Sequence, residues 1–460
     1  MAGSAGYAAE EEILMESRKC LLPQELAIWI TPTGEDVYQV EARSSGQGEA
    51  SASFHASDLP GEGQSLLHRE FLRARNLTPQ DLSTAGRDIQ EMGAKLHQAL
   101  FSGSVRELMQ RCCSKARQDK QWLRLSLRFN PADPKAAWLD RIAWELLQDG
   151  DQGFLGLHPD WTILRYLHSP FPPQALQLSA PLRILVIIAK PIGLSDLETE
   201  RERAGIERAW QSSAGMQLEF LQPPTIPALS RCLALRDPFH VIHFMGHGRF
   251  DESSGKGYLL FEDDRRAPKP VDNDLLATFL RGGGGPSLVV LNACDTATGG
   301  PKPLSALSSS LVRDGVPAVL AMKAPILDAA AVAFSTALHE SLAAGQPVDL
   351  AVTAGRRALY AQQDDRFDWA IPSLYLRAPS ERLSAANGAE TRSALVAKKI
   401  IADEFTDIAF ELVGWTGGPV PSPASPILKE TTADEIVTRV FRTAAFSASE
   451  GKASRKPDPE

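Results

Sequence analysis

Cysteine is scarce in this chain. The five residues, Cys20, Cys112, Cys113, Cys232 and Cys294, are odd in number. They follow no spacing that builds a disulfide framework or a zinc site. Free thiols in a reducing, cytoplasmic setting are the simplest reading, with one of them available for chemistry. Long apolar runs are also missing. No stretch of about 18 apolar residues occurs, so no membrane span is expected. The opening MAGSAGYAAEEEILMESRKC is acidic and has no apolar core of a signal peptide. Positive charge is in deficit, at 48 Lys and Arg against 57 Asp and Glu, a net −9. That argues against nucleic acid as the main partner. No repeat that would build a solenoid is found. What remains, 43% hydrophobic and 23% charged over 460 residues, is the composition of a globular protein of two or three domains.

The pattern of elements points to an α/β fold. ELAIWITPTGEDVYQVEAR (25–43) reads as two strands around a turn, and 44–62, rich in Ser, Gly and Ala, as a loop. Helical spacing runs from 63 to about 116, beginning with SLLHREFLRARNL (65–77). WLRLSLRF (122–129) alternates as a half-buried strand. WLDRIAWELLQD looks like a short helix. From 182 the runs LRILVIIA, HVIHFM, SLVVLNAC and VPAVLAM are nearly all apolar, as in parallel strands covered on both faces. Helical stretches separate them, and DWAIPSLYLR (368–377) closes the series. Strands alternating with helices predict a sandwich of helices around a mostly parallel sheet. An N-terminal α+β region precedes it. A polar linker and a helical tail follow, with a helix expected over 395–413 and a capping box at Thr432 and Glu435. The expected divisions are 1–84, 85–180, a core at 181–378, and 379–460.

Two turns stand at the ends of expected parallel strands. One carries His247 in MGHGR and the other Cys294 in LNACDTA. In doubly wound sheets ligands bind outside the carboxyl ends of the strands, so both residues belong to one rim. An imidazole that takes the proton of a thiol makes a thiolate nucleophile. The N–H groups of Gly248 and Cys294 are candidates for an oxyanion hole. Cys294 follows His247 by 47 residues, and caspases place their histidine about 50 residues before the cysteine.

HVIHFMGHGRF and LVVLNACDTA resemble the two signature segments of CHAT-domain proteins, caspase-like peptidases of clan CD related to separase. DRIAWELLQDGDQGFLGLHPDWTILRYLHS (140–169) resembles the same family upstream, and LVRDGVPAVLAMKAPILDAAAVAFSTALHESLAAGQPVDLAVTAGRRAL resembles it downstream. The resemblance spans roughly 85–378. It implies a caspase-like α/β/α sandwich and a cysteine endopeptidase without metal or cofactor. His247 would be the catalytic histidine, Cys294 the nucleophile and Gly248 the oxyanion glycine. Asp295, Met322 and Lys323 would border the substrate pocket, with Lys323 standing where a neutral residue is expected. The resemblance further implies limited proteolysis of a partner protein, such as a gasdermin-like pore former or another effector in antiviral defence or programmed death. Activation by a sensor or regulatory protein is expected with it. The helical repeats that often precede this domain are missing, so control falls to 1–84 and 379–460.

Plainer readings stand beside these. Four residues apart on a strand, His243 and His247 are separated by about 13 Å, too far for a shared zinc. His243 is expected in the core and His240 at the strand entry. Cys112, Cys113 and Cys232 are expected as structural thiols. RGGGGPS (281–287) lacks the Lys-Ser/Thr of a phosphate loop. Asp251, Asp272 and Asp295 are acids near the right segments, but Asp295 more often caps the helix after it, and no preference for a basic side chain before the cleaved bond follows. A non-catalytic scaffold that recruits partners through its tail, and an acyl transferase acting on a small molecule, are the alternatives.

Overall fold

A computed structural model describes residues 22–59, 79–167, 182–194, 199–211, 216–251, 253, 256–280, 285–295, 305–324, 326, 328–362 and 367–377. The leader, the helix expected over 65–77 and the tail with its expected helix and capping box lie outside the described residues.

The chain opens with β1 (Gln24–Pro32), β2 (Val37–Ser44) and β3 (Gly48–His55), then helices α1 (Pro79–Leu100) and α2 (Gly103–Gln118). β4 (Leu123–Phe129), the two-residue strands β5 (Gln148–Asp149) and β6 (Gly153–Phe154), and β7 (Trp161–Leu167) follow. Then come β8 (Leu182–Ile188), α3 (Thr199–Gln211), β9 (Met216–Phe220), α4 (Ile226–Leu235) and β10 (Val241–Asp251). β11 (Lys256–Glu262), β12 (Pro268–Asp272), α5 (Asn273–Leu280), β13 (Leu288–Asp295), α6 (Ser305–Arg313) and β14 (Ala318–Met322) continue the chain. α7 (Asp328–Ala343), α8 (Val348–Gln362) and β15 (Pro372–Leu376) complete the described elements.

All described strands except β5 and β6 join one sheet, in the order β9-β8-β10-β13-β14-β15-β7-β4-β1-β2-β3, with the antiparallel pair β11 and β12 added to the far end of β10. β9, β8, β10, β13 and β14 are parallel. The direction reverses once, between β14 and β15. β15, β7, β4 and β1 are then parallel to one another, and β2 and β3 return as antiparallel edges. The sheet is therefore mixed and mostly parallel, with helices packed on it, and it crosses the boundaries expected at 84 and 180. β8, β10, β13 and β14 are buried almost end to end because helices exclude water from them, and this is why their sequences lack alternation; β4, expected half-buried from its alternation, is buried at all but one position. A fully buried Leu or Val of this kind contributes about 1.5–3 kcal/mol.

Two expectations change. β3 lies inside the expected loop at 44–62. Its alternation is present but muted: Ala50, Ala52 and Phe54 turn inward while Glu49, Ser51 and Ser53 stay exposed. Small residues hide a period-2 signal that larger ones would show. WLDRIAWELLQD is two 3-10 turns, Ala137–Arg141 and Trp144–Leu146, with Ile142 extended between them. The break lets Asp140 and Glu145, five residues apart, both turn toward Arg165, which one α-helix would not allow.

Arg165 lies at the seam between β7 and β15, where the register gives one pair, Tyr375 with Arg165. Side chains do the rest. Arg165 grips Glu145 with both ends of its guanidinium, at 2.6 and 3.1 Å. Ser373 donates to Glu145 at 3.0 Å and Arg356 at 3.4 Å. Tyr375 donates its hydroxyl to Asp140 at 2.9 Å. Burial alone would raise the pKa of Glu145, but the guanidiniums of Arg165 and Arg356 outweigh it and hold the carboxyl at about 2. Beside the seam, Asp349 on α8 receives Trp122 Nε1 at 3.0 Å, Arg124 Nε at 2.8 Å and Thr162 Oγ1 at 2.9 Å, all on one oxygen.

Candidate active site

β10 is the strand on which the candidate site is built. Along one side it pairs with β13 from Val241 through Gly248, and this register sets His247 opposite Cys294 and Gly248 opposite Asp295. Neighbouring strands run about 4.8 Å apart, so the two backbones are adjacent. Along its other side β10 pairs with β8 only as far as Met245. β11 takes over from Gly248. Among the described residues no strand pairs with Gly246 and His247 on that side, so the sheet parts beside His247.

Gly246 belongs to this geometry. A Cβ there would stand 2.9 Å from the Phe244 ring and 3.1 Å from the Ala189 carbonyl oxygen. Only a glycine lets β10 pass this close to the end of β8. His247 itself is 3% exposed.

Beneath His247 lies a buried polar network. His243 is fully buried, and its Nδ1 sits 2.8 Å from His339 Nε2 on α7, the two rings stacked 5.1 Å apart. Trp210 on α3 donates its indole N–H to His339 Nδ1 at 2.8 Å. An indole only donates, so the tautomers follow: neutral His339 carries its proton on Nε2 and gives it to His243 Nδ1, and His243 carries its own on Nε2. Burial pushes His243 down to about 3, and burial together with His243 pushes His339 well below the usual histidine range. Both rings are neutral at physiological pH. His243 Nε2 faces Glu202 Oε1 at 3.6 Å. That same carboxylate oxygen accepts Asn292 Nδ2 at 2.6 Å and the hydroxyl of Ser335. His243 thus belongs to the core, as expected. Glu202, Asn292, His339 and Trp210 were not legible as partners. The available signal was Asn292, a polar residue in an otherwise apolar strand, two positions before Cys294.

Other expected residues fall elsewhere. Met322 ends β14, buried. Lys323 does not face a groove. It is 6% exposed, and its ammonium donates to the carbonyls of Asp140 and Ile142, the latter at 3.4 Å. Burial first, then Arg165, lowers its pKa to about 7. Asp251 accepts Ser253 N at 3.1 Å and Ser253 Oγ at 2.8 Å, closing a turn. Asp272 accepts Leu275 N at 3.0 Å at the start of α5 and faces Lys256. His240 Nδ1 accepts the Arg183 N–H at 2.8 Å. Burial raises the thiols of Cys112 and Cys232, and pushes Cys113 up to about 11, which suits structural thiols. None of the described helices is long and apolar enough to cross a membrane.

The fold is thus a mostly parallel sheet with helices packed on it. The family model of the CHAT domain matches residues 90–379, more than half of the chain, and the chain belongs to that family. Among solved structures it is similar to the Saccharomyces cerevisiae separase–securin complex, with 12% identity and a TM-score of 0.43, over 80% of this chain and 30% of that chain. The chain thus spans less than a third of that relative. It is also similar to gingipain R, an Arg-specific cysteine proteinase, with 10% identity and a TM-score of 0.38, over 65% of this chain and 76% of that chain. The complex of Porphyromonas gingivalis RgpB pro- and mature domains matches with 10% identity and a TM-score of 0.37, over 66% of this chain and 78% of that chain. No curated protein sequence matches.

Proposed function

We propose that this chain is a cysteine endopeptidase that cuts a partner protein by limited proteolysis. The observation that carries the proposal is the register of β10 and β13, which pairs His247 with Cys294 on neighbouring strands. In this reading His247 takes the thiol proton of Cys294, and the thiolate attacks the scissile carbonyl. The N–H groups of Gly248 and Cys294 hold the oxyanion that forms. His247 then gives its proton to the leaving amine, releasing one fragment and leaving an acyl-enzyme. A water, deprotonated by His247, hydrolyses the thioester and restores the thiol.

Asp295, the residue after Cys294, and Met322, at the end of β14, are the candidates to border the first substrate pocket. The setting proposed is a cytoplasmic defence or programmed-death system. A gasdermin-like pore former or another defence effector is the substrate class, and a sensor or regulatory protein engages 1–84 or 379–460 to switch the enzyme on.

The test is co-expression of the full chain with candidate partners, comparing wild type with Cys294→Ala. Partner fragments are expected with wild type and lost with the variant, a drop in rate of roughly 10⁴ or more. Equal fragments with the alanine variant would show that Cys294 is not the nucleophile.

A further inference from the structure

Glu202 is a buried carboxylate that the mechanism above does not use. It comes from α3, yet its contacts tie together three other elements. Oε1 accepts Asn292 Nδ2 from β13 at 2.6 Å and the Ser335 hydroxyl from α7, and it faces His243 Nε2 from β10 at 3.6 Å. β13 and β10 are the strands that carry Cys294 and His247. Asn292 stands two residues before Cys294, a rise of about 7 Å, and His243 stands four before His247. The donors around Glu202 are ordered from behind. Trp210 fixes the tautomer of His339, His339 fixes that of His243, and the N–H of His243 is thereby turned to the carboxylate.

We infer that Glu202 is a positioning residue: by holding Asn292 and facing His243 from beneath the sheet, it fixes the placement of the two strands that carry His247 and Cys294. The inference rests on the His247–Cys294 reading of the site. The reason is geometric. The backbone ladder between β10 and β13 sets their register. That ladder runs through His247 and Cys294, but it does not tie β13 to the helices beside it. Glu202 on α3 does so, accepting from Asn292 on β13 and from Ser335 on α7. A hydrogen bond to a charged acceptor contributes more than a neutral one, and leaving Asn292 without its acceptor would leave a buried donor unsatisfied.

The experiment uses the full chain and iodoacetamide as the probe of Cys294. The rate of Cys294 alkylation is followed by peptide mass spectrometry across pH, with Cys113 as an internal reference. In wild type, His247→Ala is expected to raise the pH midpoint of Cys294 alkylation by about one unit or more, because the thiolate loses its imidazolium partner. In the Glu202→Met background, which fills the space but accepts no bond, that shift is expected to fall to roughly half or less. Glu202→Gln keeps an acceptor oxygen for Asn292 and is expected to retain most of it. A folded Glu202→Met chain that keeps the full shift overturns the inference. So does equal loss in the Met and Gln variants, since charge and not the bond to Asn292 would then be the cause. Should Glu202→Met fail to fold, Asn292→Ala breaks the same link, and an undiminished shift there is equally decisive. If His247→Ala has no effect even in wild type, the His247–Cys294 reading itself fails, and the two failures are told apart.

Discussion

Replacing Glu145 by Gln keeps its shape and removes its charge from the seam between β7 and β15. The carboxyl ionises at about 2 in the folded chain, against a usual value of 4.5. That difference, at about 1.4 kcal/mol per pH unit, corresponds to about 3 kcal/mol of stability. The sign follows from the depressed value. The contribution is fully present above pH 4.5 and is lost as pH falls toward 2, where the folded form also takes up its proton. Breaking a buried pair while its partner stays charged costs about 3–5 kcal/mol by experience elsewhere, in agreement. The assay is urea unfolding followed by tryptophan fluorescence. Trp144, Trp161 and Trp369 are all buried and report on unfolding. At pH 7 Glu145→Gln is expected to lower the midpoint by the equivalent of about 3 kcal/mol. The gap to wild type should close between pH 4.5 and 2. Equal midpoints at pH 7, or a gap that persists unchanged in acid, would refute the argument that this charge holds the seam.

Lys323 works in the opposite sense. Its folded pKa of about 7 lies below the usual 10.5, so the folded chain binds fewer protons than the unfolded one in that window and stability rises with pH, by about 5 kcal/mol at most. Lys323→Met should abolish that rise, read from denaturation midpoints across the same range. Asp349→Ala leaves Arg124 without its carboxylate and strands the donors of Trp122 and Thr162. A loss of about 3–5 kcal/mol is expected by thermal unfolding, and a loss below 1 kcal/mol would count against the clamp. Gly205→Ala on α3 drives a methyl into Thr336 Oγ1 on α7. A cost of about 1–3 kcal/mol is expected. Adding Thr336→Ala should recover it, because the next atom, Thr336 Cβ, is 3.5 Å away.

The parallel strands were legible because burial on both faces leaves an unbroken apolar run, as in LRILVII and VIHFM. His247 and Cys294 were legible as candidates because each follows such a run; the register sets them opposite one another, but the strand does not turn at His247 as expected and β10 continues to Asp251. The seam was not legible. Asp140, Glu145, Arg165, Arg356 and Tyr375 are scattered over more than 200 positions, and only the reversal at β15 brings them together. Lys323 stood out in the sequence as a charge where a neutral residue was expected, but its partners, two backbone carbonyls from another segment, leave no mark in sequence. Glu202 hid for a further reason. In TERERAGIERAW it is one acid among several charged neighbours, and nothing local distinguishes the one that turns inward.

β15 has a consequence for the order in which the molecule is assembled. It is five residues long, lies near residue 375, and joins β14 on one side and β7 on the other. A ribosome delivers β1, β4 and β7 early, yet their only lateral neighbour toward the rest of the sheet arrives after some 200 more residues. Until then β7 and β14 both present raw edges, the kind that other chains add to. The nascent protein therefore depends on β15 to seal two gaps at once, and a chain halted short of Pro372 would keep both open.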